Sequence, residues 1–185
     1  LGTETAFDVL GRAEQLSKKG RDVINLGIGQ PDFKTAPHIV EAAVKALRDG
    51  HHGYTPTPGI PSLRESIAQD IFRYRRVNVD PDRIVVVPGG KVTMFFTMLM
   101  FGEKGREILY PNPGFPIYES MINFTEAKGI PINLAEEDGT AFDVDSILER
   151  ITERTVLLIL NSPANPTGSV IPKDQIDRLV KSLVD

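Results

Sequence analysis

The stretch EILYPNPGFPIYESMINFTEAKGIPINL, residues 107–134, decides the fold class of this chain. Two short apolar runs, at residues 107–110 and 130–134, are separated by a proline-rich loop and a helical segment that continues to Asn123. Apolar runs of this length are typical of strands that are buried in a sheet. A strand, a helix and a second strand in this order predict two parallel strands joined by a helix.

The same alternation continues in both directions from this stretch. Upstream, an apolar run at residues 84–87 precedes a helical segment at residues 91–100. Downstream, a helical segment passes through Val144, and an apolar run at residues 156–160 precedes a helical segment at residues 173–183. Repeated alternation of strand and helix predicts an α/β fold with a mostly parallel sheet that is flanked by helices on both faces.

The residues before this alternating region contain helical segments separated by loops. Apolar side chains recur at helical spacing in residues 7–18, 38–49 and 62–74. The loops at residues 25–33 and 51–61 are rich in glycine and proline, which favour turns over regular structure.

The composition excludes several classes of function. A net charge of −4 over 185 residues gives no reason to expect binding to nucleic acid or to an anionic membrane. No apolar run is long enough to span a bilayer, and the first ten residues do not resemble a signal peptide. The chain contains no cysteine, which excludes disulfides and is compatible with a reducing cytoplasm. His51 and His52 are adjacent rather than at metal-ligand spacing, so no metal site is expected.

Three loops that follow predicted strands have an unusual composition. They are PGGK at residues 88–91, PNPGF at residues 111–115 and NSPANPTG at residues 161–168. In an open parallel sheet, ligands bind beyond the carboxyl ends of the strands. Because loops that follow parallel strands lie at that edge, the sequence predicts that the three loops converge on one site.

The first of these loops suits an anion. Gly89 and Gly90 allow backbone N–H groups to approach a ligand closely, and the following helix directs its positive end to the same place. The loop is not a Walker A motif, because Val92 stands where serine or threonine is needed. It is not a dinucleotide fingerprint either, since in the pattern that begins at Gly27 the third glycine position holds Asp32. The alternative is a plain turn between a strand and a helix.

The second and third loops suit a planar ring. The aromatic face of Phe115 would cover a planar ligand, and the alternative is that Phe115 only packs in the core. In the third loop, two asparagines and two prolines restrain the backbone, and an amide held in this way is a good neutral donor to a phenolate-like oxygen. The alternative is a rigid loop in which Asn165 only caps its neighbour.

At these residues the chain resembles the class I/II, aspartate-aminotransferase-like enzymes of fold type I. The phrases that carry the resemblance, in an order and spacing that match the family over essentially the whole chain, are NLGIGQPDF (25–33), YTPTPGIPSLRESI (54–67), PGGK (88–91), YPNPGFPIYES (110–120) and NSPANPTG (161–168). The resemblance implies pyridoxal 5'-phosphate as the cofactor and transamination between an amino acid and a 2-oxo acid, with the aspartate or alanine type favoured.

The resemblance also implies which residues bind the cofactor. The backbone N–H groups of Gly90 and Lys91 would hold the phosphate, while the Lys91 side chain is expected in solvent. Phe115 would stack on the pyridine ring, and Asn165 would donate to the phenolic oxygen. Tyr54 would reach across a dimer interface to the phosphate of the partner's cofactor, which implies a homodimer.

For the substrate, the resemblance implies that the backbone of Gly29 lines the carboxylate pocket and that Asn165 touches the same carboxylate. The Asn112–Pro113 and Asn165–Pro166 bonds are the expected cis peptide bonds. Residues 1–35 would belong to the small domain, and residues 36–185 would form part of the cofactor-binding large domain.

Parts of the family's machinery are not found in this chain. The Schiff-base lysine, the acidic partner of the pyridine nitrogen and the arginine that clamps the substrate carboxylate normally lie downstream of the NSPANPTG loop. The chain starts without methionine and stops at Asp185 directly after a helical segment, so we expect a fragment of a longer enzyme. The catalytic residue is therefore unknown, and we expect this chain alone to be inactive.

Three alternatives stay open. A C–S lyase, decarboxylase or synthase of the same fold would use the same cofactor-binding residues. A non-catalytic binding protein would keep the fold and lack the lysine. A nucleotide-binding protein is disfavoured by Asp32 at the third glycine position.

Overall fold

The computed structural model describes residues 6–133 and 143–184. The chain divides into two compact units, Leu10–Gly90 and Lys91–Asp185, the latter together with the residues up to Val9. The boundary predicted at residue 35, between a small and a large domain, stays a prediction.

Helices dominate the chain up to residue 90. The helical segments predicted there are confirmed to within one residue at each end, and α2 and α3 both begin with proline, which fits the first turn because its N–H has no partner in a helix. The elements are α1 (Ala6–Lys18), α2 (Pro37–Arg48), α3 (Pro61–Arg75) and a short 3-10 helix (Pro81–Arg83).

The run at residues 84–87 was predicted as a strand, and this prediction is wrong. Ile84 is extended, with φ −103° and ψ 126°, but the run forms no ladder with another strand within residues 6–133 and 143–184. The Val86 N–H instead donates to the carbonyl of Pro58 at 2.9 Å, and the Val85 side chain is 63% exposed. A strand needs a neighbour to pair with, and four apolar residues do not show whether a neighbour is present.

The unit that begins at Lys91 is built around a three-stranded sheet of β1 (Glu107–Asn112), β2 (Lys128–Asn133) and β3 (Thr155–Leu158). The strand order is β2-β1-β3, and both neighbouring pairs are parallel, as predicted. Leu134, the last residue of the run predicted for β2, lies outside the described residues. The helices of this region are α4 (Gly90–Phe101), α5 (Ile117–Phe124), α6 (Val144–Leu148) and α7 (Lys173–Val184).

Helices cover both faces of this sheet. Ile108 and Leu109 are neighbours in β1, both fully buried, and they point to opposite faces because side chains alternate along a strand. Ile108 packs in a cluster with residues of α4 and α5, and Leu109 packs in another with residues of α6 and α7. This packing confirms the predicted α/β class. Because the helices cover the faces of the sheet, the loops that follow the strands lie at its carboxyl edge.

At the amino edge of the sheet, a buried carboxylate links the first residues of β1 and β2 to the segment that precedes β3. Glu107, the first residue of β1, is only 2% exposed. It accepts hydrogen bonds from the Thr152 hydroxyl at 2.7 Å, from Arg154 Nη2 at 2.9 Å and from Lys128 Nζ at 3.4 Å. These bonds, with that of Thr152 contributing most, lower the pKa of Glu107 from 4.5 to about 2. The carboxylate therefore stays ionised at any ordinary pH.

Within the part of the chain that the structure describes, no helix is long and apolar enough to cross a membrane. The same residues contain no cluster of three or more histidine, cysteine, aspartate or glutamate side chains that could hold a metal ion.

Candidate active site

The loop that follows β1 turns the chain sharply into α5. A Cβ placed on Gly114 would lie 2.2 Å from the carbonyl oxygen of Pro111, so no other residue fits without moving the backbone. The Asn112–Pro113 peptide bond is cis, as predicted. Because β1 is the central strand, this loop emerges at the middle of the carboxyl edge of the sheet.

Phe115 lies in this loop and is half-buried. Its ring packs edge to face against Tyr118, with the ring centroids 6.1 Å apart and the ring planes at 84°. Tyr118 is itself 4% exposed and belongs to the core cluster under α4 and α5. Part of the Phe115 ring therefore packs against the core and part is exposed, and its role in covering a ligand stays a prediction.

The turn before α4 has the features of an anion-binding site. Gly89 has a φ of +85°, a conformation that side chains other than glycine rarely adopt, and Gly90 is the first residue of α4. A Cβ on either glycine would meet no atom of the described residues within 4 Å, so these residues leave the space above the turn open. No acidic residue stands in the first turn of α4 to repel an anion.

The Lys91 side chain connects this turn to the loop after β1. Its Nζ lies over the Phe115 ring, 5.5 Å from the ring centroid. The Lys91 side chain is exposed, as predicted from the resemblance, but the prediction missed this contact. Lys91 and Phe115 belong to the same compact unit, and this contact brings the second residue of α4 beside the loop after β1.

The loop that follows β3 is held rigidly by Asn161. The Asn161 side chain donates from Nδ2 to the carbonyl of Pro163 at 3.2 Å and accepts at Oδ1 from the Asn165 N–H at 2.8 Å. The Ala164 N–H donates to the carbonyl of Ser169 at 2.8 Å and closes the loop. The side chain that caps this loop is therefore Asn161 and not Asn165.

The Asn165 side chain is left available. It is exposed, and its amide group has no hydrogen-bond partner among the residues that the structure describes. The Asn165–Pro166 bond is cis, as predicted, and Ser162–Pro163 is a further cis bond that the sequence did not indicate. Because β3 is parallel to β1, this loop leaves the sheet at the same edge as the loop that carries Phe115.

The remaining predicted residues, Gly29 and Tyr54, belong to the unit Leu10–Gly90. Gly29 is exposed, and a Cβ placed on it would meet no atom within 4 Å in the part of the chain that the structure describes. Tyr54 is fully exposed. The assignments of these two residues to substrate and cofactor stay predictions.

Two tyrosines near Phe115 were not singled out by the sequence. Burial raises the pKa of Tyr118, and burial together with the negative charge of Glu119 raises the pKa of Tyr110. Both hydroxyl groups therefore stay neutral at ordinary pH. Tyr110 also packs closely against β2, because a Cβ placed on Gly129 would lie 3.0 Å from its ring.

Comparisons with known proteins agree with this arrangement. A profile of the family described as "Aminotransferase class I and II" matches residues 21–184. The "Probable aspartate/prephenate aminotransferase" of Aquifex aeolicus is 36% identical over 96% of this chain. The solved structure of the Thermus thermophilus aspartate aminotransferase with maleate is 34% identical with a TM-score of 0.92 over 98% of the chain. That of the Pyrococcus furiosus alanine aminotransferase is 32% identical with a TM-score of 0.91 over 97%.

The chain spans about half the length of these proteins, namely 45% of the Aquifex aeolicus sequence and 47% of each of the two structures. Within that half, the order of the helices and the parallel sheet match the aminotransferases of fold type I. The match includes all the loops that carry the candidate site. The chain belongs to the class I and II aminotransferase family.

Proposed function

We propose that this chain supplies the phosphate-binding and ring-binding half of a pyridoxal-phosphate-dependent aminotransferase. Two observations carry the proposal: the open glycine turn at the start of α4 and, within the unit that begins at Lys91, the half-exposed Phe115 ring with the Lys91 ammonium group 5.5 Å from its centroid. The turn would bind the phosphate of a ligand, and the Phe115 ring would contact a planar ring of the same ligand.

In this proposal the backbone N–H groups of Gly90 and Lys91 hold the phosphate. The first N–H groups of a helix have no partner within it, and the helix dipole favours negative charge at the same place. The φ of Gly89 and the open space above the turn support this role.

Phe115 and Asn165 orient the rest of the cofactor. Phe115 covers the pyridine ring, and its contact with Tyr118 keeps it from rotating away. The exposed amide of Asn165 donates a hydrogen bond to the phenolic oxygen and to the substrate carboxylate. Its backbone is already fixed by Asn161, so little conformational entropy is lost when these bonds form.

Pyridoxal phosphate supplies an electron sink for reactions at the amino-acid α-carbon when it is bound. The residues of this chain would anchor that cofactor, orient its ring and tune the charge on its oxygen. The lysine that bonds to the cofactor is proposed to lie in the remainder of a longer protein, so we expect this chain alone to be inactive.

The proposal extends to the substrate and the partner. The names of the relatives favour aspartate as the amino acid, and the maleate in the Thermus thermophilus structure is a dicarboxylate like aspartate. Gly29 would line the carboxylate pocket. Tyr54, which is fully exposed, would reach the cofactor of a second subunit in a homodimer. A cytoplasmic location is proposed as well, and cell fractionation would test it.

The test uses the longer protein that carries this sequence. It is titrated with pyridoxal phosphate and then supplied with L-aspartate and 2-oxoglutarate. Glutamate formed in equal amount with oxaloacetate would support transamination. Release of ammonia or carbon dioxide without glutamate would favour the lyase or decarboxylase alternative. Failure to bind pyridoxal phosphate would contradict the proposal.

A further inference from the structure

The Lys91 side chain makes a contact that phosphate binding by its backbone does not require. Its ammonium group lies 5.5 Å from the centroid of the Phe115 ring, within the range in which the negative face of a ring attracts a cation. The Phe115 ring also packs edge to face against the Tyr118 ring, with the two ring centroids 6.1 Å apart. Phe115 is thus restrained by two neighbours, one of which is anchored in the core.

We propose that Lys91 is a positioning residue that acts through Phe115. In this view its ammonium group and the Tyr118 ring hold Phe115 in the orientation in which it covers the pyridine ring. The inference rests on the proposed function, because the orientation of Phe115 matters for binding only if a planar cofactor lies against this ring.

The physical reason is pre-organisation. Phe115 lies in a loop and is only half-buried, so without restraint its ring would sample several rotamers before a ligand binds. A ring that is already oriented loses less conformational entropy when the ligand binds, and this smaller loss makes the affinity higher. Because Lys91 is the second residue of α4, one residue would contribute both a backbone N–H to the phosphate and a side chain to the ring.

A cation near a phosphate also attracts it directly, and the experiment must separate this effect from positioning. The longer protein is prepared as wild type, Lys91→Met, Phe115→Leu and the double variant, and its affinity for pyridoxal phosphate is measured by absorbance titration. If Lys91 acts through Phe115, Lys91→Met weakens binding about two- to fivefold in the wild-type background, the range expected for an exposed cation–ring contact. In the Phe115→Leu background it then has little further effect, because contacting residues are not additive.

Two further measurements complete the test. Lys91→Arg, which keeps the cation, should restore the affinity and the circular dichroism of the bound cofactor that Lys91→Met loses. In the cofactor-free protein, the Lys91 ε-methylene protons should be shifted upfield by the Phe115 ring. This second readout decides the matter even if Phe115→Leu fails to fold, since unshifted protons would contradict the contact.

An equal loss of affinity from Lys91→Met in both backgrounds would overturn the inference and assign Lys91 to the phosphate alone. That result leaves the proposed function intact, because the wild type still binds the cofactor. A wild-type protein that binds no pyridoxal phosphate would instead overturn the proposed function, and the inference with it.

Discussion

The two edges of the sheet use their polar side chains in opposite ways. At the amino edge, the buried Glu107 carboxylate is satisfied by Thr152, Arg154 and Lys128. At the carboxyl edge, the loop after β3 is held by backbone groups and by short side chains such as Asn161 and Ser162, while Asn165 keeps an exposed amide without a partner in the described chain. Polar groups that stabilise this fold are therefore paired within it, whereas a group that is available for binding is left unpaired on a loop whose backbone is fixed.

The largest effect on stability is expected at the amino edge. Replacing Glu107 by alanine removes a buried carboxylate and leaves Thr152, Arg154 and Lys128 without their common acceptor. We expect the melting temperature to fall by roughly 5–10 °C, measured by thermal unfolding. The matched control is Glu103→Ala, which removes an exposed carboxylate paired with Arg106 and should change the melting temperature by roughly 1 °C or less. Equal effects at the two positions would contradict the difference between the edges.

The contribution of Glu107 should also depend on pH. Its pKa in the folded chain is about 2, below the ordinary value of 4.5, so the stabilisation is complete above pH 4.5 and is lost as the pH falls towards 2. Denaturant titrations at several pH values should therefore show the stability gap between wild type and Glu107→Gln narrowing from pH 5 to pH 3. A gap that stays constant over this range would mean that the carboxylate does not gain its bonds on folding.

A smaller loss of stability is expected at Asn161. Replacing it by alanine removes the acceptor for the Asn165 N–H and the donor to Pro163, and we expect a loss of about 1–2 kcal/mol in the free energy of unfolding. The affinity for pyridoxal phosphate should fall as well, because the loop that carries Asn165 loses its restraint. Unchanged stability together with unchanged affinity would show that the loop is held in another way.

The smallest effect on stability is expected at Asn165. Its exposed amide has no partner in the described chain, so Asn165→Ala should change the free energy of unfolding by less than about 0.5 kcal/mol. With pyridoxal phosphate bound, the visible absorption of the cofactor changes with pH, and the pKa of that change should rise by roughly one unit because a donor to the phenolic oxygen is lost. Asn123→Ala, an exposed asparagine on α5, serves as the control and should leave the absorption band unchanged. An unmoved pKa in Asn165→Ala would remove this residue from the proposed site.

Much of the fold could be predicted from the sequence because it depends on local patterns. The runs that became β1 and β3, and the helix between β1 and β2, are visible in the spacing of apolar residues. The run at residues 84–87 has the same pattern but forms no ladder with any described residue, because pairing depends on a neighbour that the pattern does not contain.

The local structure around the candidate site residues could be predicted in part for a similar reason, whereas their roles stay predictions. Gly90, Phe115 and Asn165 each stand in a short sequence motif whose composition already indicates a loop. The structure places Gly90 at the turn before α4, Phe115 in the loop after β1 and Asn165 in the loop after β3. The bonds of Glu107 reach partners that are 21, 45 and 47 residues away, so no local pattern could reveal them. The contact between Lys91 and Phe115 is likewise made in space, between the start of α4 and the loop after β1.

The central claim is that the open turn at the start of α4 binds the phosphate of pyridoxal phosphate. The most direct test is the affinity of the longer protein for this cofactor in the variants Gly90→Asp and Gly90→Ala. The added Cβ enters open space in both, and an aspartate in the first turn of a helix does not destabilise it. We predict that Gly90→Asp folds normally but binds pyridoxal phosphate at least about tenfold more weakly than Gly90→Ala, because the new carboxylate repels the phosphate. Equal affinity in the two folded variants would contradict the claim.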